Sequence, residues 1–522
     1  MRRFNVTGLC NPDEDYMVDI TNKLMQIKEM IDYGDYFTIN RARQYGKTTT
    51  IWELRRFLAD DYTVVSISFE DWDDENFATS ESFCQTFLED VSLALKSSTV
   101  SDSYQESWLD KSVTNFKKLE RHLTKLCADK KIVLMIDEVD QTSNNRTFLK
   151  FLGILRAKFL AGQAGMGATF QSVILAGVYD IKNIKLKMIN DGIYMPEVGE
   201  NHLRNSPWNI AADFKVEMSF NPDEIATMLV EYEKDYQTGM DVALVSEELY
   251  SYTSGYPFMV SRLCQIIHNE AGMEWNIYGV RAAVAVLLHE DNQLFKDMSK
   301  NLENDKQLYD LMYDILISGF KVSFSYDHPV MDMAKRYGYI KVTERNIIRV
   351  FNKIFETRMS NYFVTKNVLS KPRQRTNALY HNIVTDDYFD MALCLEKFAE
   401  FFNREIFPTK EKELLELQYR ISFLSYLKPL LNGVGHYHYE SQLSDERRMD
   451  LIVNYGKYEY LLELKRIFSE SDRTEGVQQL LGYMDGRGVD EGYFLTFDFR
   501  KKSESKAEWL KMDGKRIFEV NV

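Results

Sequence analysis

Three consecutive residues, Gly46, Lys47 and Thr48, have the types and order that a phosphate-binding loop requires. In such a loop, backbone N–H groups point at a triphosphate, the lysine reaches the β- and γ-phosphates, and the threonine hydroxyl ligates Mg²⁺. The complete pattern, G-x-x-x-x-G-K-[ST], has a further glycine where this chain has Arg41, so the match is partial. An ordinary helix start is the alternative, and a matching partner further along the chain favours the loop.

That partner is the segment KIVLMIDEVD at 131–140, which ends its apolar run in the adjacent acids Asp137 and Glu138. Its composition is that of a buried strand in a parallel sheet. We expect Asp137 to hold the Mg²⁺ shell and Glu138 to polarise the attacking water, because γ-phosphoryl transfer requires a metal clamp and a positioned base. The pair predicts a Walker B strand. A buried strand whose acids are merely solvated is the alternative.

A second chemical group lies in the tail, where Asp450 precedes a strand–turn–strand pattern that carries Glu463 and Lys465. A tight hairpin would place Asp450 across from Glu463, and residues 463 and 465 face the same side of a strand. Asp450 and Glu463 could share a Mg²⁺ while Lys465 holds or activates the water that attacks a phosphodiester. A solvated hairpin face is the alternative. The apolar neighbours of Glu463 argue against it, since burying a carboxylate is costly.

The first of these sites needs a sheet to position it, and strands alternate with helices through the first part of the chain. An entry helix is predicted at 18–33 and a helix after the loop at 50–58. Beyond the strand that enters the loop and the strand at 131–140, we predict strands at 62–69, 172–178 and 214–220. This alternation indicates an α/β fold with a parallel sheet covered on both faces. Asp180, after the strand at 172–178, is either a γ-phosphate sensor or part of a surface turn.

The predicted secondary structure changes after Asn221 and again after the basic stretch that follows residue 364. From Asn221 the pattern is helical, and 306–363 has the helix and strand pattern of a small winged-helix unit. The basic stretch at 365–381 is interrupted by Pro372 and is predicted to be a linker. In the tail we predict a helix at 410–431, a strand ending near 440, the hairpin, a helix at 476–483 and a strand at 491–497.

The composition limits the class of protein. At 522 residues the chain is too long for one core, and 45% hydrophobic residues indicate a globular protein. A net charge of −15 disfavours a protein that coats nucleic acid indiscriminately, although a local basic groove remains compatible with it. The five cysteines form no C-x-x-C pair, which favours reduced thiols. We found no secretory leader and no apolar run of ~20 residues, so a cytoplasmic location away from membranes is expected.

Several short motifs together carry a resemblance to a known family. The chain resembles a bacterial family that joins an AAA-like P-loop ATPase of the signal-transducing type to a C-terminal PD-(D/E)XK nuclease-like domain, and the resemblance spans nearly its whole length. The motifs are Gly8-Leu9-Cys10-Asn11-Pro12, Arg43-Gln44-Tyr45-Gly46-Lys47-Thr48, Asp137-Glu138, Ser206-Pro207-Trp208-Asn209-Ile210, Ser254-Gly255-Tyr256-Pro257-Phe258, Leu427-Lys428-Pro429, Arg448-Met449-Asp450 and Glu463-Leu464-Lys465. Met449 replaces the proline of the nuclease motif and Arg41 replaces the first glycine of the loop.

The resemblance implies a role for each matching residue. At the ATP site, Gly46, Lys47, Thr48, Thr49, Arg43 and Asp137 would bind ATP, with Thr48 and Asp137 on Mg²⁺ and Glu138 catalytic. In the tail, Asp450, Glu463 and Lys465 would form the nuclease core, with Asp450 and Glu463 on metal and Glu416 and Gln479 as helpers carried by helices. The implied domains are an ATPase core at 1–221, a helical lid at 222–305, a winged-helix-like unit at 306–364, a linker and connecting helix at 365–405, and a small α/β restriction-endonuclease-like domain at 406–522.

Three function classes follow. The first is an ATP-binding and hydrolysing switch that controls a metal-dependent DNA nuclease. The second is a nucleotide-dependent sensor or scaffold whose tail binds DNA or a partner without cutting. The third, a transport or chaperone ATPase, is disfavoured because no residues obviously supply a substrate-threading pore or an arginine finger, for which Arg156 is the one candidate. Nucleic acid, in the form of DNA, is the expected partner of the tail, and homo-oligomerisation is left open.

Overall fold

A computed structural model of the protein describes residues 2–96, 98, 100–139, 146–177, 208–270, 272–317, 320–369, 383–384, 388–403, 416–431, 435–438, 451–498 and 506–522. Within these ranges the side chains of 367–369, 416–418, 420 and 421 are not described. The chain divides into two compact units. One comprises Met1–Phe220 with Arg336–Gly338, and the other comprises Asn221–Lys335 with Tyr339–Val522.

The first unit is an α/β structure built on a parallel sheet. Its strands are β1 (Phe37–Asn40), β2 (Thr63–Ser68), β3 (Ile132–Asp137) and β4 (Ser172–Gly177). Its helices in the described residues are α1 (Thr21–Asp32), α2 (Lys47–Phe57), α3 (Asp74–Ala78), α4 (Ser80–Leu95), α5 (Asp102–Glu106), α6 (Phe116–Leu126) and α7 (Arg146–Gln163). The strand order is β1–β4–β3–β2, and all pairs are parallel.

The core of this unit lies against the parallel sheet. All six residues of β3 are buried, and alternate residues of β2, β3 and β4 join one hydrophobic cluster with α4, α6 and α7. The predicted strands at 62–69, 131–140 and 172–178 are confirmed as β2, β3 and β4. The carboxyl ends of β1 and β3 therefore reach the same edge of a parallel sheet, as the predicted ATP site requires.

The predicted fifth strand at 214–220 is wrong. Within 208–220 the ladder is limited to one bridge, in which the Ala212 N–H donates to the Tyr36 carbonyl at 2.8 Å. The following residues approach β1 through side chains: the Phe214 and Phe37 rings stack at 5.7 Å, and Arg41 donates to the Val216 carbonyl at 3.0 Å. Because a guanidinium takes this carbonyl, the backbone ladder does not continue.

The second unit begins with helices, as the change of pattern after Asn221 predicted. In the described residues these are α8 (Pro222–Tyr236), α9 (Val242–Thr253), α10 (Pro257–Asn269), α11 (Ile277–His289), α12 (Gln293–Asn304), α13 (Lys306–Leu316) and α14 (Pro329–Arg336). The antiparallel strands β5 (Ile340–Val342) and β6 (Ile348–Val350) follow, and then helix α15 (Lys353–Leu369). The elements from α13 to α15 occupy the stretch predicted to form a winged-helix-like unit.

In the described residues, the tail of the second unit is a six-stranded mixed sheet with helices on both faces. Its elements are α16 (Met391–Phe401), α17 (Glu416–Leu431), β7 (Gly435–His438), β8 (Leu451–Tyr455), β9 (Tyr458–Ile467), α18 (Glu470–Arg487), β10 (Glu491–Asp498), β11 (Lys506–Met512) and β12 (Lys515–Asn521). The strand order is β11–β12–β10–β9–β8–β7. One hydrophobic cluster joins α16 and α17 to the sheet, and a second joins α18 to it. The predicted hairpin is confirmed, with Leu451 opposite Leu462 and Tyr455 opposite Tyr458.

Two features bear on the predicted linker at 365–405. Helix α15 continues to Leu369, so Thr365 and Lys366 are helical, whereas 370–382 lie outside the described residues. Helix α16 places Cys394, Leu395 and Phe398 in the cluster that also contains the strands of the tail sheet. The domain boundaries remain predictions. Among the described residues, no helix combines the length and apolar character needed to cross a membrane.

Candidate functional sites

The predicted phosphate-binding loop runs from the end of β1 to the start of α2. Gly46 adopts a φ of 77°, the left-handed conformation that glycine reaches without strain, and directly precedes the first residue of α2. Among the described residues, no side chain caps α2 at this end. Because the first N–H groups of a helix have no partner within the helix, the loop presents the donors and the positive end of the helix dipole that bind phosphate.

Lys47 folds back over this loop. Its side chain is buried, and Nζ donates to the carbonyl oxygens of Arg41 at 3.1 Å and Ala42 at 3.0 Å. A buried ammonium that donates to carbonyl dipoles is well placed to exchange them for phosphate oxygens, since bonds between charged groups are stronger. The position agrees with the role predicted for Lys47.

Thr48 and Asp137 connect the loop to the Walker B strand. The Thr48 hydroxyl donates to Asp137 Oδ2 at 2.9 Å, and the Glu138 N–H donates to Asp137 Oδ1 at 2.9 Å. Glu138 has a φ of 53°, which is unusual for a residue other than glycine and occurs often at functional sites. A hydroxyl oxygen and a carboxylate oxygen therefore meet at the position where the sequence predicted Mg²⁺. Oxygen atoms of this kind are the ligands that Mg²⁺ prefers.

Arg41 does not disturb the loop, although it replaces the first glycine of the pattern. Its φ is not among the positive values of the chain, and its N–H donates to the Gly177 carbonyl at 3.2 Å, extending the pairing of β1 with β4. The guanidinium turns away to the Val216 carbonyl and lies 5.4 Å from the centre of the Phe214 ring. Tyr45 also connects the loop to this segment, because its hydroxyl forms a hydrogen bond with Ser219 Oγ at 3.1 Å.

Two buried side-chain oxygens beside the loop, Asn40 Oδ1 and Gln44 Oε1, have no hydrogen-bond partner in the described part of the chain. Gln44 also has a positive φ of 56°. Buried acceptors of this kind ordinarily bond to water, an ion or a ligand. The sequence analysis gave neither Asn40 nor Gln44 a role. Their positions, at the end of a strand and inside the loop, are the signal that could have identified them.

Two further predicted ATP-site residues, Thr49 and Arg43, lie in the first turn of α2 and in the loop before it. The Thr49 hydroxyl accepts from the Cys10 N–H at 3.4 Å, which brings the N-terminal segment to the first turn of α2. Burial raises the pKa of the Cys10 thiol, so the thiol stays neutral there. Arg43 is exposed. Arg156 lies on α7, and Asp180 is outside the described residues.

In the tail, Glu463 and Lys465 lie on β9, and strand alternation directs both to the face that α18 covers. Glu463 is buried, with 3% of its surface exposed, and pairs with Phe494 of β10 in the ladder. Of the other predicted nuclease residues, Asp450 is outside the described residues. Glu416 is the first described residue of α17, but its side chain is not described.

Gln479, which was predicted to be a helper, contacts Lys465. Lys465 Nζ donates to Gln479 Oε1 at 3.4 Å and lies 3.2 Å from Glu475 Oε2. Gln479 Nε2 donates in turn to Glu475 Oε1 at 3.3 Å, which closes a ring of three side chains. Glu475 was missed, although it precedes Gln479 by one helical turn. Gly476 permits the contact, because a Cβ there would lie 2.6 Å from the Phe494 ring and 3.0 Å from Lys465 Cδ.

In the described residues, no group of three or more His, Cys, Asp or Glu side chains is arranged to hold a metal ion. Thr48 and Asp137 supply only two side-chain ligands, which is fewer than such a group. A metal ion bound to them would complete its coordination shell with phosphate oxygens and water, as Mg²⁺ commonly does. In the tail, Glu463 is the one predicted metal ligand that the structure describes.

A family model described as an AAA-like domain matches residues 15–352 of the chain. No curated protein matches the chain. The matched residues begin before α1 and end just after β6, so they include the whole candidate ATP site and stop short of the tail sheet.

Several solved structures are similar to the chain at low identity. The Walker-type ATPase PABY2304 of Pyrococcus abyssi is 13% identical, with a TM-score of 0.45 over 68% of this chain and 99% of that chain. The ORC2 protein of Aeropyrum pernix, in ADPNP and ADP complexes, is 10% identical, with a TM-score of 0.33 over 68% and 98%. Drosophila ORC bound to GC-rich DNA and Cdc6 is 12% identical, with a TM-score of 0.26 over 79% and 61%.

Proposed function

The chain belongs to the AAA-like domain family, and from this premise we propose that it binds and hydrolyses ATP. The proposed site lies at the edge of the parallel sheet where β1 and β3 have their carboxyl ends. The observation that carries the proposal is the contact of Thr48 with Asp137 beside the buried Lys47. Lys47 would exchange the Arg41 and Ala42 carbonyls for phosphate oxygens, and the N–H groups at the start of α2 would bind the same anion.

Thr48 and Asp137 are the residues that would hold Mg²⁺. When bound, the ion neutralises charge on the phosphates. Glu138 follows Asp137 with its backbone fixed by the bond to Oδ1, and we propose that its carboxylate orients the attacking water. Arg43 is exposed in the loop, Thr49 lies in the first turn of α2, and both are proposed to contact the nucleotide from outside.

The test is nucleotide binding and turnover by the full chain, each measured with Mg²⁺ and with a chelator. Glu138→Gln should keep ATP affinity within about twofold and lose turnover, because it removes the base and leaves the phosphate contacts in place. Glu89→Gln, on the unrelated helix α4, is the matched control and should hydrolyse ATP like the parent. Turnover by Glu138→Gln at the parent rate would overturn the assignment of the base.

We further propose that the tail is a metal-dependent nuclease whose activity the nucleotide state controls. Support comes from the buried carboxylate of Glu463 and from the Lys465 ammonium that Gln479 and Glu475 hold on the same face of β9. In the sequence, Asp450 comes directly before Leu451, the first residue of β8. Leu451 pairs with Leu462, and Glu463 is the next residue in the chain. Lys465 would stabilise the charge that develops on a phosphodiester or hold the attacking water.

The experiment for this second step compares linear, nicked and single-stranded DNA, with Mg²⁺ or Mn²⁺, and with ATP, ADP or no nucleotide. A nuclease under nucleotide control should cut at rates that differ among the nucleotide states. Equal rates in all three states would mean that the tail is tethered but uncontrolled. Binding of DNA without cleavage under every condition would favour the alternative, a sensor whose tail only docks.

A further inference from the structure

Strand β7 lies at the end of the tail sheet, and yet all four of its residues are buried. Helix α15 accounts for one part of this burial. The Thr357 hydroxyl donates to the Tyr437 carbonyl at 2.8 Å, and the Tyr437 hydroxyl donates to Asn361 Oδ1 at 3.0 Å. An edge strand normally leaves its outer backbone groups for water or another strand, so these contacts show that the edge is fastened to the helices before the tail.

The two histidines of β7 form a polar cluster with a neighbouring strand. His436 and His438 are 5% and 2% exposed, and Asn454 of β8 is 2% exposed. Asn454 Nδ2 lies 3.4 Å from His436 Nε2 and 3.4 Å from His438 Nδ1. An amide nitrogen is a donor, so both ring nitrogens act as acceptors and both rings are neutral in this arrangement.

The surroundings resist a proton on either ring. The Tyr252 ring of α9 packs edge-on against both imidazoles, at 6.0 Å from His436 and 5.6 Å from His438. Carboxylates are present, but Glu248 and Glu459 are engaged by arginines. The charged or titratable groups that face the cluster are Tyr252 and Glu248 from α9, Arg281 and His289 from α11, Lys353 from α15, Glu459 from β9 and Arg487 from α18.

The energetic consequence has a definite sign. Burial, and then the nearby cations, lower the pKa of His436 to about 3 and that of His438 well below its usual range. In an opened state both rings would return to an ordinary pKa of about 6.5. The closed arrangement therefore has its full stability above about pH 6.5 and loses it as the pH falls, because the open state binds more protons.

We propose that His436, His438, Asn454 and Tyr252 form an acid-sensitive joint that fastens the edge of the tail sheet to helices α9 and α15 and opens when the two imidazoles take up protons. This histidine joint is independent of the proposed ATP and phosphodiester chemistry, since none of its residues belongs to either site. It makes the attachment of the tail to the preceding helices a two-state element whose balance depends on protons.

Hydrogen exchange of the full chain tests the histidine joint. Rates corrected for the intrinsic effect of pH are compared at pH 7.5 and 5.5 for peptides covering 247–256, 353–361 and 435–438. If protons bind to the open state and not to the closed state, the opening equilibrium constant should rise between pH 7.5 and pH 5.5. The rise should be about 10-fold if one histidine is protonated and about 100-fold if both are. Peptides from β3 and β10 should keep their protection, which distinguishes opening of the joint from global unfolding.

The variant that removes the proton response is His436→Gln with His438→Asn. The glutamine places an amide oxygen near the position of Nε2, and the asparagine places one near the position of Nδ1, so Asn454 keeps two acceptors that do not titrate. His328→Gln, at an exposed histidine in the turn before α14, is the control and should keep the parent response. A double variant that opens with acid as the parent does would overturn the proposal.

If the double variant does not fold, the parent still decides the matter through NMR titration of its histidines. The proposal requires two rings that stay neutral at pH 5.5 in the closed form and gain protons only as the three peptides lose protection. Two rings that titrate near pH 6.5 without any change in exchange would refute it.

Discussion

The Thr48 hydroxyl donates to the Asp137 carboxylate at 2.9 Å although 89 residues separate them in the chain. The contact exists because β1 and β3 run parallel in one sheet, so the loop after the first strand and the acid ending the second reach the same edge. A hydrogen bond to a charged acceptor contributes about 1.5–3 kcal/mol. The same two oxygens are the proposed ligands of Mg²⁺, so the bond holds the ligands together before the ion arrives.

Thr48→Val should separate the metal-dependent part of ATP binding from the rest. The valine keeps the volume of the side chain but offers no oxygen, so ATP affinity in Mg²⁺ should fall by about 10-fold or more. In a chelator the parent and the variant should bind ATP equally, because the phosphate contacts of Lys47 and of the helix N-terminus remain. Titration calorimetry under both conditions measures the difference, and an equal loss in both would assign Thr48 a structural role only.

Lys47→Ala should weaken ATP binding with or without metal. Loss of a charged donor to phosphate is worth about 1.5–3 kcal/mol, or roughly 10- to 150-fold in affinity. Lys28→Ala removes a surface lysine paired with Asp32 on α1 and should bind ATP normally. Affinity of Lys47→Ala equal to that of the parent would exclude the proposed phosphate contact.

The placement of the candidate ATP-site residues could be predicted from the sequence because the parts of that site are local. The strand, the loop glycine and the adjacent acids each have their own signature, and parallel pairing then brings them together. The predicted fifth strand failed because the side chain of Arg41, and not a backbone ladder, bonds to the carbonyl of Val216. The final strands β11 and β12 were missed, and for β11 the reason is that Lys506–Met512 is largely exposed and shows little apolar alternation.

Other parts of the tail were beyond prediction for a different reason. The contact of Lys465 with Glu475 depends on how closely α18 approaches β9, and that distance is set by the missing Cβ of Gly476. The burial of His436 and His438 depends on helices more than 60 residues earlier in the chain. A pattern read along one strand contains no information about either partner.

Arg41→Gly would restore the complete loop pattern and should nevertheless destabilise the protein. Arg41 does not need a glycine conformation, and its guanidinium holds the Val216 carbonyl and the Phe214 ring. Loss of these contacts should cost about 1–3 kcal/mol, with ATP affinity unchanged. Denaturant unfolding and ATP titration measure the two effects. Tighter ATP binding without loss of stability would show that Arg41 impairs the loop.

Gly476→Ala should destabilise the tail by about 1–3 kcal/mol, because the new methyl group would press on the Phe494 ring and on the side chain of Lys465. Gly482→Ala, on the same helix, has open space at its Cβ. It should be neutral or stabilise by up to about 1 kcal/mol, since alanine has the higher helix propensity. Unfolding curves of the two variants give the comparison, and equal effects would mean that α18 does not pack against β9 at Gly476.

The last prediction concerns cleavage by the tail. Glu463→Gln keeps the shape of a buried side chain but removes its charge, so metal-dependent cleavage should disappear while the melting temperature stays the same or rises. Lys465→Met should keep Mn²⁺ binding and slow cleavage about 100-fold or more, because a cation facing the developing charge is lost. Glu508→Gln, a half-exposed glutamate on β11, is the matched control and should cut at the parent rate. If the parent cuts DNA and both Glu463→Gln and Lys465→Met cut equally well, the chemistry belongs to another part of the chain.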